Sequence, residues 1–276
     1  MPPEPRTEDR YGFEFFRCTM HPHDVLWVEL NRPERRNAIN PGMHAELTPL
    51  FRRIAEDRQV AVVVLTGAGD KAFCVGADFG GMQENLDAGY EDGYPELMIG
   101  SAEVVRAQLA IPQPVLAAVN GDAMGLGATM ALFCDLVFMA ESARIADPHV
   151  KAGLVAGDGG AILWPMLLGL HRGKEFLFTG DTMTARQAAD LGLVNHLCPP
   201  DELRQAATEM AERLARGPRH AISFNKRLAN AELIQRVTRL IDASLAMEAI
   251  TFGTGDHREA VRSFLERRPP VFGQSS

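Results

Sequence analysis

NGDAMGLGATM, from Asn120 to Met130, is the stretch on which the reading of this chain turns. Just before it, PVLAAVN (Pro114 to Asn120) is a short apolar run of the kind that forms a strand covered on both faces. Behind it the pattern is helical from about Gly125 to Cys134. The joint is made of small residues, so a strand runs into a bend whose N–H groups point outward. KAFCVGAD, from Lys71 to Asp78, has the same character. The N–H groups of Ala77 and Leu126 can then be offered to one carbonyl oxygen as it gains negative charge. Taken alone, Gly121, Gly125 and Gly127 are equally explained by close strand–helix packing. A dinucleotide fingerprint is excluded, because Met130 stands where its third glycine belongs.

Working outward, Asp24 to Leu30 reads as a strand, and Pro41 to Asp57 as a helix with Asn40 as its N-cap. VAVVVLT (Val60 to Thr66) reads as a buried strand, and Leu136 to Ala140 and Ala143 to Ala146 as two short ones. This alternation predicts an α/β core. Helices are expected at Gly160 to Leu170, Arg172 to Phe178 and Thr184 to Gly192, followed by a last strand at Leu193 to Cys198. The acidic stretch Gln83 to Gly100 contains no Lys or Arg and is expected to be a mobile loop or short helical lid. From Glu202 to Arg268 the chain reads as amphipathic helices. One stripe is Leu203, Ala207, Met210 and Leu214; another is Ile234, Val237, Ile241 and Leu245, with a second subunit expected to cover part of the surface. Three regions result: a flexible tail over 1–10, a core over 11–200 and a helical oligomerisation region over 201–276.

The chain has 276 residues, 46% of them hydrophobic, and 28 basic against 36 acidic side chains give a formal charge of −8. That charge argues against binding nucleic acid or an anionic membrane. The N-terminal MPPEPRTEDR lacks an apolar core and no long apolar run follows, so a cytoplasmic location is expected. Cys18, Cys74, Cys134 and Cys198 are isolated and read as buried thiols. His21 and His23 read as a solvated turn. No metal-ligand spacing occurs, so no metal is expected.

Four separated segments, in order, resemble the crotonase (enoyl-CoA hydratase/isomerase) family: NRPERRNAIN (Asn31 to Asn40), KAFCVGAD, AAVNGDAMGLGATMALFCD and LFTGDTMTARQAADLGLVNHL (Leu177 to Leu197). The resemblance implies a spiral of ββα units with a C-terminal α-helical trimerisation region, in a homotrimer or dimer of trimers. It also implies lyase or isomerase chemistry on an acyl-CoA, with no permanently bound cofactor and coenzyme A as part of the substrate. Ala77 and Leu126 match the carbonyl-polarising positions, although glycine commonly stands where Leu126 is. Arg35, Ala38, Lys71, Asp78 and Gly125 match positions around the nucleotide and pantetheine.

The chain departs from the resemblance where a hydratase carries two Glu residues. Thr129 and His149 stand there instead. A Thr hydroxyl has no useful basicity near neutral pH, so His149 is the candidate base. Asp158, nine residues on, is a candidate orienting carboxylate and equally a helix cap. Similar spacing occurs in family members that hydrolyse β-diketones, but those carry a further His where Leu126 stands here. Glu248 reads as a solvated or capping residue, with a pocket acid reaching across a subunit boundary as the other possibility. Hydrolysis of a thioester or β-dicarbonyl by a His149–Asp158 pair is therefore an alternative activity. A non-catalytic CoA-binding or scaffolding protein is the alternative from another class.

Overall fold

The computed structural model describes residues 9–78 and 94–273. The expected lid falls outside the described residues at 83–93, and from Tyr94 the chain is helical. The strands are β1 (Phe16–His21), β2 (Val25–Leu30), β3 (Val62–Gly67), β4 (Ala72–Cys74), β5 (Val115–Val119), β6 (Asp122–Met124), β7 (Leu136–Ala140), β8 (Arg144–Ala146), β9 (Met183–Thr184) and β10 (His196–Cys198). The helices are α1 (Pro41–Glu56), α2 (Tyr94–Leu109), α3 (Leu126–Leu132), α4 (Gly160–Leu168), α5 (Leu170–Thr179), α6 (Ala185–Asp190), α7 (Leu203–Ala215), α8 (Arg219–Ala229), α9 (Ala231–Phe252) and α10 (Gly255–Leu265).

Two sheets divide the strands. The larger has the order β1-β2-β3-β5-β7-β10, parallel except where β1 meets β2. The smaller has the order β4-β6-β8-β9, with β4, β6 and β8 parallel. The chain visits them alternately: β3, β5 and β7 lie in the large sheet, and each successor, β4, β6 and β8, lies in the small one. All residues of β3 and β5 are buried, as expected for parallel strands covered on both faces. His21 is a correction to the solvated-turn reading: it closes β1 opposite Val25, and only His23 lies in the turn.

Helix α1 begins where the sequence places it, with the Asn40 side chain accepting from the Met43 N–H at 2.8 Å. On α7 the buried row is Leu203, Ala207, Ala211 and Ala215, while Met210 and Leu214 are only partly covered. Small side chains let this helix lie close on β3, β5 and β7, and the larger ones move to its flanks. On α9 the buried row is Val237, Ile241, Leu245, Glu248 and Phe252, whereas Ile234 is 38% exposed. Much of this stripe packs within the chain, against α2 and α4, rather than waiting for a second subunit.

The parallel pairing of β4 with β6, Ala72 beside Asp122 and Cys74 beside Ala123, is what positions the site. Their two exit bends leave the same end of the small sheet. Contact there is close enough to require glycine: a Cβ on Gly127 would stand 2.2 Å from the Cys74 carbonyl oxygen. Gly127→Ala is accordingly expected to destabilise the protein by about 1–3 kcal/mol through overpacking, read as a lower urea midpoint. An unchanged midpoint would show that the two bends are not packed so tightly.

Candidate active site

The first bend is Gly76, at φ 81, followed by Ala77. Ala77 forms a parallel bridge with Ile39, in which the Ile39 N–H donates to the Gly76 carbonyl and the Asp78 N–H to that of Ile39. By strand alternation the N–H of Ala77 faces the other way. The second bend is Gly125, at φ 52, after which Leu126 opens α3. As the first helical residue, Leu126 has no intrahelical acceptor for its N–H. A Cβ built on Gly76 would lie 2.9 Å from the Met124 carbonyl oxygen, and one on Gly125 would lie 4.0 Å from the Gly76 Cα. The bends are therefore neighbours, and both line one cavity of ≈ 490 Å³.

His149 stands directly beside them. A Cβ on Gly125 would be 3.4 Å from its Cε1 and 3.8 Å from its Nε2, so glycine admits the imidazole edge. The His149 Nδ1 meets Asp147 Oδ1 at 2.5 Å. Its Nε2 is 3.6 Å from Asp158 Oδ2 and 3.9 Å from Glu248 Oε1. Burial by itself lowers the imidazole pKa, but the carboxylates of Asp147, Asp158 and Glu248 outweigh it and hold His149 well above its ordinary value. Burial raises Asp158 against the opposing pull of His149, and raises Glu248 to about 8.

Several sequence expectations are corrected at this point. The carboxylate on Nδ1 is Asp147, two residues away, while Asp158 lies on the Nε2 side. Asp158 Oδ1 accepts from the Thr129 hydroxyl at 3.2 Å and from the Gly160 N–H at 3.4 Å, so it braces the start of α4 as well as facing the cavity. Thr129 is fully buried behind Asp158 and is not part of the cavity wall. Glu248 is neither solvated nor supplied by another subunit: it is 6% exposed and lines the cavity of its own chain. It falls on the buried row of α9, and Gly157 makes room, since a Cβ there would come within 2.5 Å of Glu248 Oε2.

Asp147 is the residue that sequence reasoning missed, and its signal was the short D-P-H spacing. It is fully buried with Oδ2 unbonded, and a Cβ on Gly160 would stand 1.8 Å from that oxygen. A second missed pair is His44, whose Nε2 is 3.1 Å from Ser101 Oγ, both on the cavity wall. Burial lowers the pKa of His44 and favours its neutral form. No local pattern announces this pair, because helices α1 and α2 bring it together.

The residues matched to the nucleotide are arranged differently from one another. Arg32 and Arg35 both reach Asp78, at 3.3 and 3.4 Å. Ala38 is 6% exposed, and its carbonyl accepts from the Arg32 guanidinium. Lys71 is exposed. The donor atoms of Asp147, His149 and Asp158 lie within 4.8 Å of one another, a spacing that suits a metal ion. Asp147 Oδ1 and His149 Nδ1 already use each other at 2.5 Å, which leaves too few free donors in that trio for a closed site.

The model of the family described as enoyl-CoA hydratase/isomerase matches residues 21–275. The chain belongs to this family. It is 34% identical over 249 residues to the short-chain-enoyl-CoA hydratase of Clostridium acetobutylicum, covering 88% of this chain and 92% of that protein. Among solved structures it is similar to an enoyl-CoA hydratase/isomerase from Mycobacterium paratuberculosis, with 35% identity, TM-score 0.85 and coverage of 92% and 100%. It is also similar to a beta-diketone hydrolase from the cyanobacterium Anabaena, bound to (S)-3-oxocyclohexyl acetic acid, with 32% identity, TM-score 0.80 and coverage of 87% and 94%. The fold is that of the crotonase group, and family membership supports an enzyme that acts on acyl-CoA. Among the described residues, no helix is long and apolar enough to cross a membrane.

The buried charge cluster makes the stability of this family member depend on pH. His149, Asp158 and Glu248 all have raised pKa values in the fold, so the folded chain holds protons that the unfolded chain releases. Their contribution is fully present below the unfolded values and is lost as pH rises through the folded ones. For Glu248 that window runs from the ordinary carboxylate range to about 8. The melting temperature is expected to fall as pH rises through this window, and Glu248→Gln to flatten the fall. An equal slope in the variant would show that Glu248 does not take up the proton.

Proposed function

We propose that the chain is an acyl-CoA-processing enzyme that adds water to a carbonyl held between the N–H groups of Ala77 and Leu126, with His149 as base. The observation that carries this reading is the placement of His149 between Asp147 and the Gly125 bend. Asp147 fixes the proton on Nδ1, which leaves Nε2 to accept one from water. Water oxygen then bonds to the carbonyl carbon, the carbonyl electron pair moves onto oxygen, and the two amides stabilise the oxyanion. As the oxyanion collapses, the bond to the leaving sulfur or carbon breaks. The proton held on Nε2, or one from Glu248, whose raised pKa keeps much of it protonated near neutrality, passes to the leaving group. Two-carboxylate hydration of a carbon–carbon double bond fits less well, because Thr129 and His149 occupy the two Glu positions.

A second reading is hydrolysis of a carbon–carbon bond in a β-dicarbonyl compound not carried on coenzyme A. The ties of Arg32 and Arg35 to Asp78 and the burial of Ala38 favour it, since these groups are then engaged within the protein. Similarity to the Anabaena hydrolase adds support. Incubation in ¹⁸O-water with crotonyl-CoA, acetoacetyl-CoA and 2-methylcyclohexane-1,3-dione separates the readings. Labelled carboxylate from the thioester supports the first and from the dione the second. Formation of 3-hydroxybutyryl-CoA from crotonyl-CoA as the main activity would overturn both. Binding of acyl-CoA without any turnover would leave a non-catalytic binding protein.

A further inference from the structure

The outer wall of the cavity is made by the end of the chain. After α10 the backbone turns at Arg267, φ 54, and Arg268, Pro270 and Phe272 then line the cavity together with Phe264 and Phe252. Two carboxylates on α10 hold this return. Glu259 forms a two-pronged pair with Arg268, one prong at 2.9 Å, and also accepts from the Val271 N–H at 2.9 Å. Asp256 accepts from the Gly273 N–H at 2.9 Å. The bond to Arg268 draws the Glu259 carboxyl down to about 2, so the clamp stays charged at neutral pH.

Helix α10 is in turn fixed to the turn that carries His149. Buried His257 donates from Nδ1 to the Ala152 carbonyl at 2.8 Å. A Cβ on Gly153 would stand 2.8 Å from the His257 nitrogen, so the helix sits directly on the His149–Ala152 turn. The distance between the wall and the base is thereby set by the structure. At the mouth, Phe264 is 59% and Phe272 42% exposed although both line the cavity. Large apolar rings left open at the rim of a concave site mark a surface that an apolar ligand covers.

We propose that residues 268–273 form a strap that sets substrate specificity: Phe272 and Phe264 receive the apolar end of the substrate, and the Glu259 clamp limits its length. This rests on the reading of the cavity as a carbonyl site and names what that site selects, compact apolar groups over long chains. Covering one phenyl ring corresponds to roughly tenfold in affinity.

Affinity tests the strap independently of turnover. Calorimetric dissociation constants are measured for acetyl-, butyryl-, hexanoyl- and octanoyl-CoA on the wild-type chain, Phe272→Ala and Glu259→Gln, with circular dichroism confirming the fold. The wild-type chain is expected to bind best at the shorter lengths. Phe272→Ala should weaken that optimum about tenfold, and Glu259→Gln should move it towards longer chains. The unaltered length profile in both variants overturns the strap. If no acyl-CoA binds the wild-type chain, the acyl-CoA reading fails, and the strap is judged on 2-alkylcyclohexane-1,3-diones from methyl to hexyl. Lack of binding in that series too, or a profile there that neither variant changes, overturns the strap as well.

Discussion

His149→Ala is expected to lower kcat by about 10²–10⁴-fold while leaving the affinity for acyl-CoA within a few-fold of wild type. The magnitude is that of removing a general base. The sparing of affinity follows because the amides of Ala77 and Leu126, main-chain groups, remain in place. Asp158 is not expected to replace the imidazole, because one of its oxygens is held by the Thr129 hydroxyl and the Gly160 N–H, and Glu248, raised to about 8, is largely protonated near neutrality. Single-turnover measurements with the substrate identified by ¹⁸O incorporation are decisive. A kcat within threefold of wild type would remove His149 from the mechanism.

Asp147→Asn is expected to reduce kcat by about 10³–10⁴-fold, because an amide does not hold the imidazole in the tautomer that leaves Nε2 open to accept a proton. The same variant carries a second readout that a merely structural residue would not move. His149 must be neutral to act as base, so kcat/KM in the wild type should rise with pH through a pKa well above the ordinary 6.5. Loss of the Asp147 charge removes one of three carboxylates that hold the proton, so the rising limb should shift to lower pH. Loss of activity with an unmoved limb would make Asp147 a packing residue only. Gly160→Ala provides an independent check: a Cβ 1.8 Å from Asp147 Oδ2 must displace that side chain, and the variant should behave similarly.

Both predictions depend on contacts that the sequence reveals unequally. The D-P-H spacing is local: His149 follows only two residues after Asp147, and the chain turns at Pro148 where Nδ1 meets the carboxylate. Asp158, nine residues away, was visible as a candidate, but its side of the ring was not. Only the packing of α4 on α3, with Thr129 and Gly160 holding one carboxylate oxygen, turns its other oxygen to Nε2. Glu248 shows the opposite failure. Its neighbours on α9 look ordinary, and the helix could be rotated to put it in solvent. Its burial follows from Val237, Ile241 and Leu245, which commit that face to the core and carry Glu248 with them.

The sequence by itself determined the α/β class, the cap of α1 and the two glycine bends. Each is written in residues adjacent along the chain or repeated at strand or helix spacing, so local sterics and burial fix them. Only tertiary structure decided that the bends share a cavity, that three carboxylates converge on one imidazole, and that Thr129 stands behind the site rather than in it. Those outcomes depend on which strands pair and which helices cross, here β4 beside β6 and α9 across α2 and α4. The buried area gained by the entire chain chooses that pairing, and no single segment encodes it.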